Sequence, residues 1–345
     1  MKKYFRSVIA TTVLGALLTV PAVSSAATNI RGQTSSAGGT PYIMLTAAGS
    51  IVQKYEPDIR IQVSSGKAFP QIAADLVNGR SDIVTTSPIV VYWMQNAEKM
   101  YTKWPDSKEK SELVRYIVAF PLGAYHWVVR ADSGIEELAD IRGKRLFAGP
   151  RASGSASTAV ETLHAETGMD PDKDYEYVSL DWASGVAAFQ DGQIDVYVRP
   201  ANVPLSAIQE FAMTGDIRLL TIKPSTLETK EMLEGQLAAP GRIVDEIAPD
   251  AYGSAQVNDS PAIALMSMAA LATRVDYDAD TVYTVTKTFW EHINEIHASV
   301  PWMKEVTRDT AFKELNAPLH VGAYRYYKEA GFDIPEELVP PELAE

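Results

Sequence analysis

The sequence predicts an α/β protein of two lobes, each a mostly parallel sheet flanked by helices, with a ligand cleft between them. Three observations carry this expectation. The chain has 345 residues, more than a single core usually serves. Strand-like and helix-like stretches alternate along it, the pattern of parallel sheets with helices on both faces. Finally, three local patterns occur twice, in the same order, in two parts of the chain.

At the N-terminus, Lys2, Lys3 and Arg6 precede an apolar stretch from Val8 to Val20. Pro21 ends the stretch, and the small residues Ser24-Ser25-Ala26-Ala27 follow. This is the layout of an export signal peptide over residues 1–26, cleaved after Ala26. The apolar run is short for a spanning helix, which needs about 20 residues. No later run is long and apolar enough to cross a bilayer, so no stable membrane insertion is expected. The chain has no cysteine. That excludes a lipid anchor at the cleavage point, thiol nucleophiles, thiolate zinc sites and iron–sulfur clusters. It also leaves stability to the core alone.

The formal charge is −13, and removal of the signal peptide takes away three cations and no acids, leaving the mature chain more acidic still. Such a surface argues against nucleic acid as a partner. It does not forbid an anionic ligand, because surface charge is screened beyond about 8 Å.

The first repeated pattern is a strand, a Gly/Ser loop and a helix. It reads Asn29-Ile30-Arg31-Gly32, a loop to Gly39 and a helix from Thr40; later it reads Lys144 to Gly149, a loop to Gly154 and a helix from Ser155. The second is a strand meeting a Ser-Gly turn: Ile59 to Val63 into Ser64-Ser65-Gly66, and Tyr175 to Leu180 into Ala183-Ser184-Gly185. The third is a helix closed by glycine, then Asp and a strand: Gly79 to Val84 and Gly192 to Val198. Asp82 and Asp195 therefore read as turn or cap residues away from the cleft. Apolar runs from Tyr125 to Arg130 and from Ile263 to Met268 stand where the chain crosses between lobes. The expected division is 27–128 with 265–345 as lobe I, and 129–264 as lobe II. Beyond Asp280, Val282, Val285, Phe289 and Ile293 are spaced for one helix, and His320 to Ala330 forms another. The tail from Ile334 to Pro341 reads as an extended strap or a mobile segment.

In open parallel sheets ligands bind beyond the carboxyl ends of the strands, where these Gly/Ser loops fall. Helix N-termini there carry unpaired N–H groups and partial positive charge. Gly38-Gly39-Thr40 and Ser153-Gly154-Ser155 are thus either ordinary N-caps or anion cradles, and their pairing across two lobes favours the cradle. Arg151, within the second loop, and Arg199, after the strand ending at Val198, are candidate forks for a carboxylate. Ser65, Gly66 and Lys67 follow the second strand, and Thr86 and Ser87 the third. Tyr125 and Trp182 are candidate walls. Enzyme signatures fail: there is no His-Glu-x-x-His, no Gly-x-Ser-x-Gly and no P-loop. No catalytic residue, metal site or cofactor is expected.

Several motifs resemble one family. Asp140-Ile141-Arg142-Gly143-Lys144-Arg145-Leu146 is similar to the opening of the second lobe in type II periplasmic binding proteins. Gly38-Gly39-Thr40-Pro41-Tyr42, Gly149 to Ser155, and Pro318-Leu319-His320-Val321-Gly322-Ala323-Tyr324 through Gly331 resemble motifs of the TAXI receptors of TRAP transporters. The resemblance implies a periplasmic solute-binding protein that is not an enzyme. It implies a small organic anion as ligand, such as a dicarboxylate, glutamate or an oxo acid, and a TRAP-type membrane permease as partner. A receptor for an ABC transporter or a sensory system is the alternative on the same fold, and a two-lobed enzyme is a more distant one. One loop departs from the family pattern. Lys67 stands where a serine is usual and the following Asn is missing, so the identity of the ligand does not carry over.

Overall fold

The computed structural model describes residues 27–343, so the signal peptide expected over residues 1–26 lies outside the described residues. One half begins with β1 (Thr28–Gln33), α1 (Thr40–Tyr55), β2 (Ile59–Ser64), α2 (Phe69–Val77), β3 (Ile83–Thr86), α3 (Pro88–Asn96) and the short α4 (Ser107–Ser111). The long β4 (Val114–Arg130) leads into the other half. There β5 (Arg145–Phe147), α5 (Gly154–Thr167), β6 (Glu176–Tyr177), α6 (Trp182–Gln190), β7 (Val196–Ala201), α7 (Ser206–Thr214), β8 (Ile217–Leu219), α8 (Pro224–Leu227) and β9 (Arg242–Ile247) follow. The long β10 (Ala262–Arg274) returns to the first half, which α9 (Ala279–Glu291), α10 (Ile293–Ser299) and α11 (Val321–Glu329) complete.

The strands form one sheet in the order β2-β1-β3-β10-β4-β7-β5-β6, with β8 beside β4 and β9 beside β10. The internal repeat is visible in this order. In each half the strand of the first pattern lies in the middle, that of the second outside, and that of the third inside, next to the long strands. Pairing within each trio is parallel, as expected. The two long strands add antiparallel pairs, to each other and to β3 and β7, so the sheet as a whole is mixed.

The same repeat extends to side chains. Asp82 accepts hydrogen bonds from the backbone N–H and Nε of Arg31, at 2.7 and 2.9 Å. Asp195 accepts the equivalent pair from Arg145, at 2.8 and 2.9 Å. Each carboxylate ties the segment before the third strand of its half to the central strand, at Arg31 within β1 and at Arg145, the first residue of β5. For Asp82, burial works against ionisation, but the bonds from Arg31 outweigh it and hold the pKa below its ordinary value. For Asp195 the Arg145 hydrogen bond is the largest influence, and it lowers the pKa.

Apolar packing divides with the chain. Ile30, Leu45, Ile72, Phe120, Ala270, Phe289 and Tyr327 belong to one core. Trp127, Leu146, Leu163 and Leu265 belong to a second, and Phe147, Phe189, Tyr197 and Phe211 to a third. β4 and β10 each enter the first core at one end and the others further along, so they join the halves without a separate linker. The helix expected beyond Asp280 stops at Glu291, and a second begins at Ile293. The C-terminal tail is a docked strap: Leu338 is buried, its carbonyl accepts from the Leu319 N–H at 2.9 Å, and Glu342 pairs with Arg115.

The β4–β7 pairing sets Tyr125 against Pro200 and His126 against Arg199. His126 is fully buried. Its Nδ1 lies 2.9 Å from the carbonyl of Ala124, which can only accept, so Nδ1 carries the proton. Nε2 then accepts from the Tyr252 hydroxyl at 2.9 Å. Burial pushes the imidazole pKa from 6.5 down to about 4. Between these values the unfolded chain binds the proton and the folded chain does not. Stability therefore falls as pH drops through that window, by up to about 3 kcal/mol, and is full above it. In His126→Gln the fall between pH 6.5 and pH 4 should be shallower than in the parent. Thermal melts across the window check this, and equal slopes would refute the assignment.

Candidate ligand-binding site

Five of the helices that follow the repeated strands begin at an inner chamber. Three bring proline in the first turn, at Pro41, Pro70 and Pro88, where the missing N–H removes no helical bond. α1 starts at Thr40, α2 at Phe69, α3 follows Ser87, α5 starts at Gly154 and α6 at Trp182; these residues line the chamber together with Tyr125, Ser153, Ser155 and Arg199. The space open to a water-sized molecule is about 70 Å³, room for a few waters or one compact ligand.

Arg199 is buried on β7. Its Nη2 donates to the Ser36 hydroxyl at 3.1 Å, which links the second half to the first. Its guanidinium lies over the Trp182 ring, 4.8 Å from the centroid. Gly39 makes this approach possible, since a Cβ there would lie 2.7 Å from Nη2. Gly149 does the same for the indole: a Cβ would lie 2.5 Å from Trp182 Cζ2.

The helix starts differ in what they offer. Asp181 accepts from the N–H groups of Ala183 and Ser184, each at 2.9 Å, so the start of α6 already holds the protein's own negative charge. Ser153 caps α5 by accepting from Ala156 N–H at 3.1 Å. The neighbouring Ser155 hydroxyl is buried with no partner. Neither Gly39 at α1 nor Ser87 at α3 makes a side-chain cap. The starts of α1, α2, α3 and α5 thus reach the chamber without a carboxylate cap of their own.

Sequence reasoning missed Arg242, the first residue of β9, which also lines the chamber. It is 5 % exposed, and its Nη1 donates to Gln236 Oε1 at 2.8 Å. Its Nε has no partner, nor has the hydroxyl of Ser267 on β10, another lining residue. Burial pulls the Arg242 pKa below its ordinary value, though a guanidinium stays charged in proteins. Ser35 and Ser36 complete the polar lining, and Phe69, Ile89 and Leu122 are among its apolar walls. No aspartate or glutamate lines the chamber among the described residues.

Other expected contacts lie elsewhere. Gly38, Ser65, Gly66 and Lys67 surround an outer mouth that shares Ser36, Ala68, Trp182 and Arg199 with the inner chamber. Lys67 is paired there with Asp75 at 2.5 Å. Thr86 is buried outside the lining. Arg151 does not line the chamber: its guanidinium turns outward to Asp172, 2.8 Å away, and stacks over Tyr177. A nearby carboxylate, rather than the end of the strand, decides where this side chain goes.

Several solved structures are similar to this chain. A protein from Bordetella bronchiseptica RB50 shares 14% identity at a TM-score of 0.50, covering 91% of this chain and 85% of that one. The alkanesulfonate-binding protein SsuA from Xanthomonas axonopodis pv. citri, bound to MOPS, shares 14% at 0.47, covering 92% and 98%. The Bordetella pertussis extracytoplasmic solute receptor DctP7, which binds pyroglutamic acid, shares 11% at 0.46, covering 88% and 93%. At 14% identity the likeness to the Bordetella bronchiseptica protein speaks for the fold alone. The model of the NMT1-like family matches residues 33–331, most of the chain, and the protein belongs to that family.

Proposed function

We propose that this protein is an exported periplasmic receptor that captures a small organic anion between two lobes and delivers it to a TRAP-type permease. The observation that carries the reading is the inner chamber, where two buried guanidiniums, Arg199 and Arg242, meet spare hydroxyls and helix starts, with no carboxylate in the lining among the described residues. A buried cation without an anionic partner is costly, and a bound anion would offset that cost. The two lobes, 27–128 with 265–345 and 129–264, would close on the ligand by rotation about the long strands. Differential affinity for the closed arrangement is what such closure requires. The ligand class is a dicarboxylate, glutamate or an oxo acid, in line with the resemblance to the TAXI receptors. Binding rather than turnover is the activity, and among the described residues no helix is long and apolar enough to cross a membrane.

Residues 27–345 screened by thermal shift against carboxylic acids, with sulfonates and sugars as controls, test this reading. At a hundredfold excess over its dissociation constant, a true ligand adds about 2.7 kcal/mol of stability. At least one carboxylate should give that rise and be confirmed by calorimetry. If every carboxylate leaves the midpoint unmoved, the reading is wrong.

A further inference from the structure

Arg242 is held from behind by a chain of polar groups that ends on the other half of the molecule. Gln236, buried at the end of the turn Glu231–Gln236, accepts from Arg242 through Oε1 and donates through Nε2 to Glu161 on α5. An amide bridges these two because arginine only donates and a carboxylate only accepts, which fixes its orientation. The second oxygen of Glu161 accepts from Lys99, which follows α3 in the first half. Ala97 and Lys99 both have left-handed backbones, with φ of 53° and 50°. Such conformations are unfavourable for residues with a Cβ, and here they sit beside a contact between halves. A side cavity lined by Lys99, Glu161, Gln236 and Arg242 runs behind the chamber.

We infer that Gln236 and Glu161 are positioning residues for Arg242, and that Lys99 couples this positioning to closure of the two halves. The inference rests on the chamber being the ligand site. When the halves are apart, the charge of Glu161 acts on Arg242 through Gln236 alone. When they meet, Lys99 neutralises Glu161, and Arg242 presents a fuller positive charge to the chamber. Closure thereby strengthens the hold on an anion, and by reciprocity a bound anion favours closure.

The test needs no ligand. The chain has no cysteine, so spin labels at Lys103→Cys and Glu228→Cys, two exposed positions on opposite halves, report their separation by electron–electron dipolar spectroscopy. Lys99→Ala should lower the ratio of short to long separations about threefold, the scale of a half-exposed ion pair, and Lys99→Arg should restore it. Molar salt should lower the ratio in the parent and leave Lys99→Ala little changed. In parallel, the Nε–H resonance of Arg242, assigned through Arg242→Lys, should shift in both Lys99→Ala and Gln236→Leu. An unshifted Arg242 resonance in Lys99→Ala, or identical distance distributions in Lys99→Ala and the parent, overturns the relay. A failed carboxylate screen would instead overturn the ligand reading and leave the relay standing.

Discussion

Replacing Arg199 with alanine is expected to lower affinity for the best carboxylate about a hundredfold, with the protein still folded. Truncating one member of a buried, hydrogen-bonded charge pair costs about 2–5 kcal/mol, and each 1.4 kcal/mol is about tenfold. Arg199 is placed to cause such a loss. It is 8 % exposed, its plane rests on Trp182, and Gly39 leaves the room that brings it against the start of α1. Arg199→Lys keeps the charge but loses the planar fork and the stacking, so it should fall between the parent and alanine. Calorimetry on the three proteins reads both steps. Undiminished binding in Arg199→Ala would remove this residue from the site. Because Arg199 also reaches Ser36 in the first half, the alanine variant should also weaken the contact between halves, which far-ultraviolet circular dichroism would separate from unfolding.

The sequence was most legible where a pattern repeats. Each half shows strand, Gly/Ser loop and helix, then a glycine-closed helix with Asp before the third strand, and the sheet reproduces that order on both sides of the long strands. Local rules suffice there, because a glycine cap, a Ser N-cap and alternation of strand and helix are read from neighbouring residues. The same reasoning placed Thr40, Ser87, Ser153, Gly154, Ser155, Tyr125, Trp182 and Arg199 on one chamber. It placed Arg151 there too, and a loop aspartate at position 172 drew that side chain away. What stayed illegible depends on contacts distant in sequence. Arg242 and Ser267 reach the chamber only because β9 and β10 pair across the second half, and no motif surrounds them. The available signals were weak: a Gly-Arg step after Pro240, and a lone serine inside the apolar run from Ile263 to Met268.

Stability and binding should move apart at Arg242. In the parent this guanidinium is buried, is held by Gln236, and lacks a carboxylate within salt-bridge distance among the described residues. Methionine has similar length and no charge to desolvate, and replacing buried ionic groups by apolar ones of like volume is often neutral or stabilising by about 1–4 kcal/mol. The gain is reduced because Gln236 Oε1 loses its donor, which costs about 1 kcal/mol. Arg242→Met should therefore melt at the parent's temperature or about 1–3 °C above it, while anion affinity drops about a hundredfold. A site kept at the expense of stability behaves this way, whereas a structural arginine does not. Thermal melts with and without the carboxylate give both numbers from one sample. A variant that melts several degrees lower yet binds like the parent would make Arg242 a packing element and leave Arg199 as the chamber's single anchoring cation.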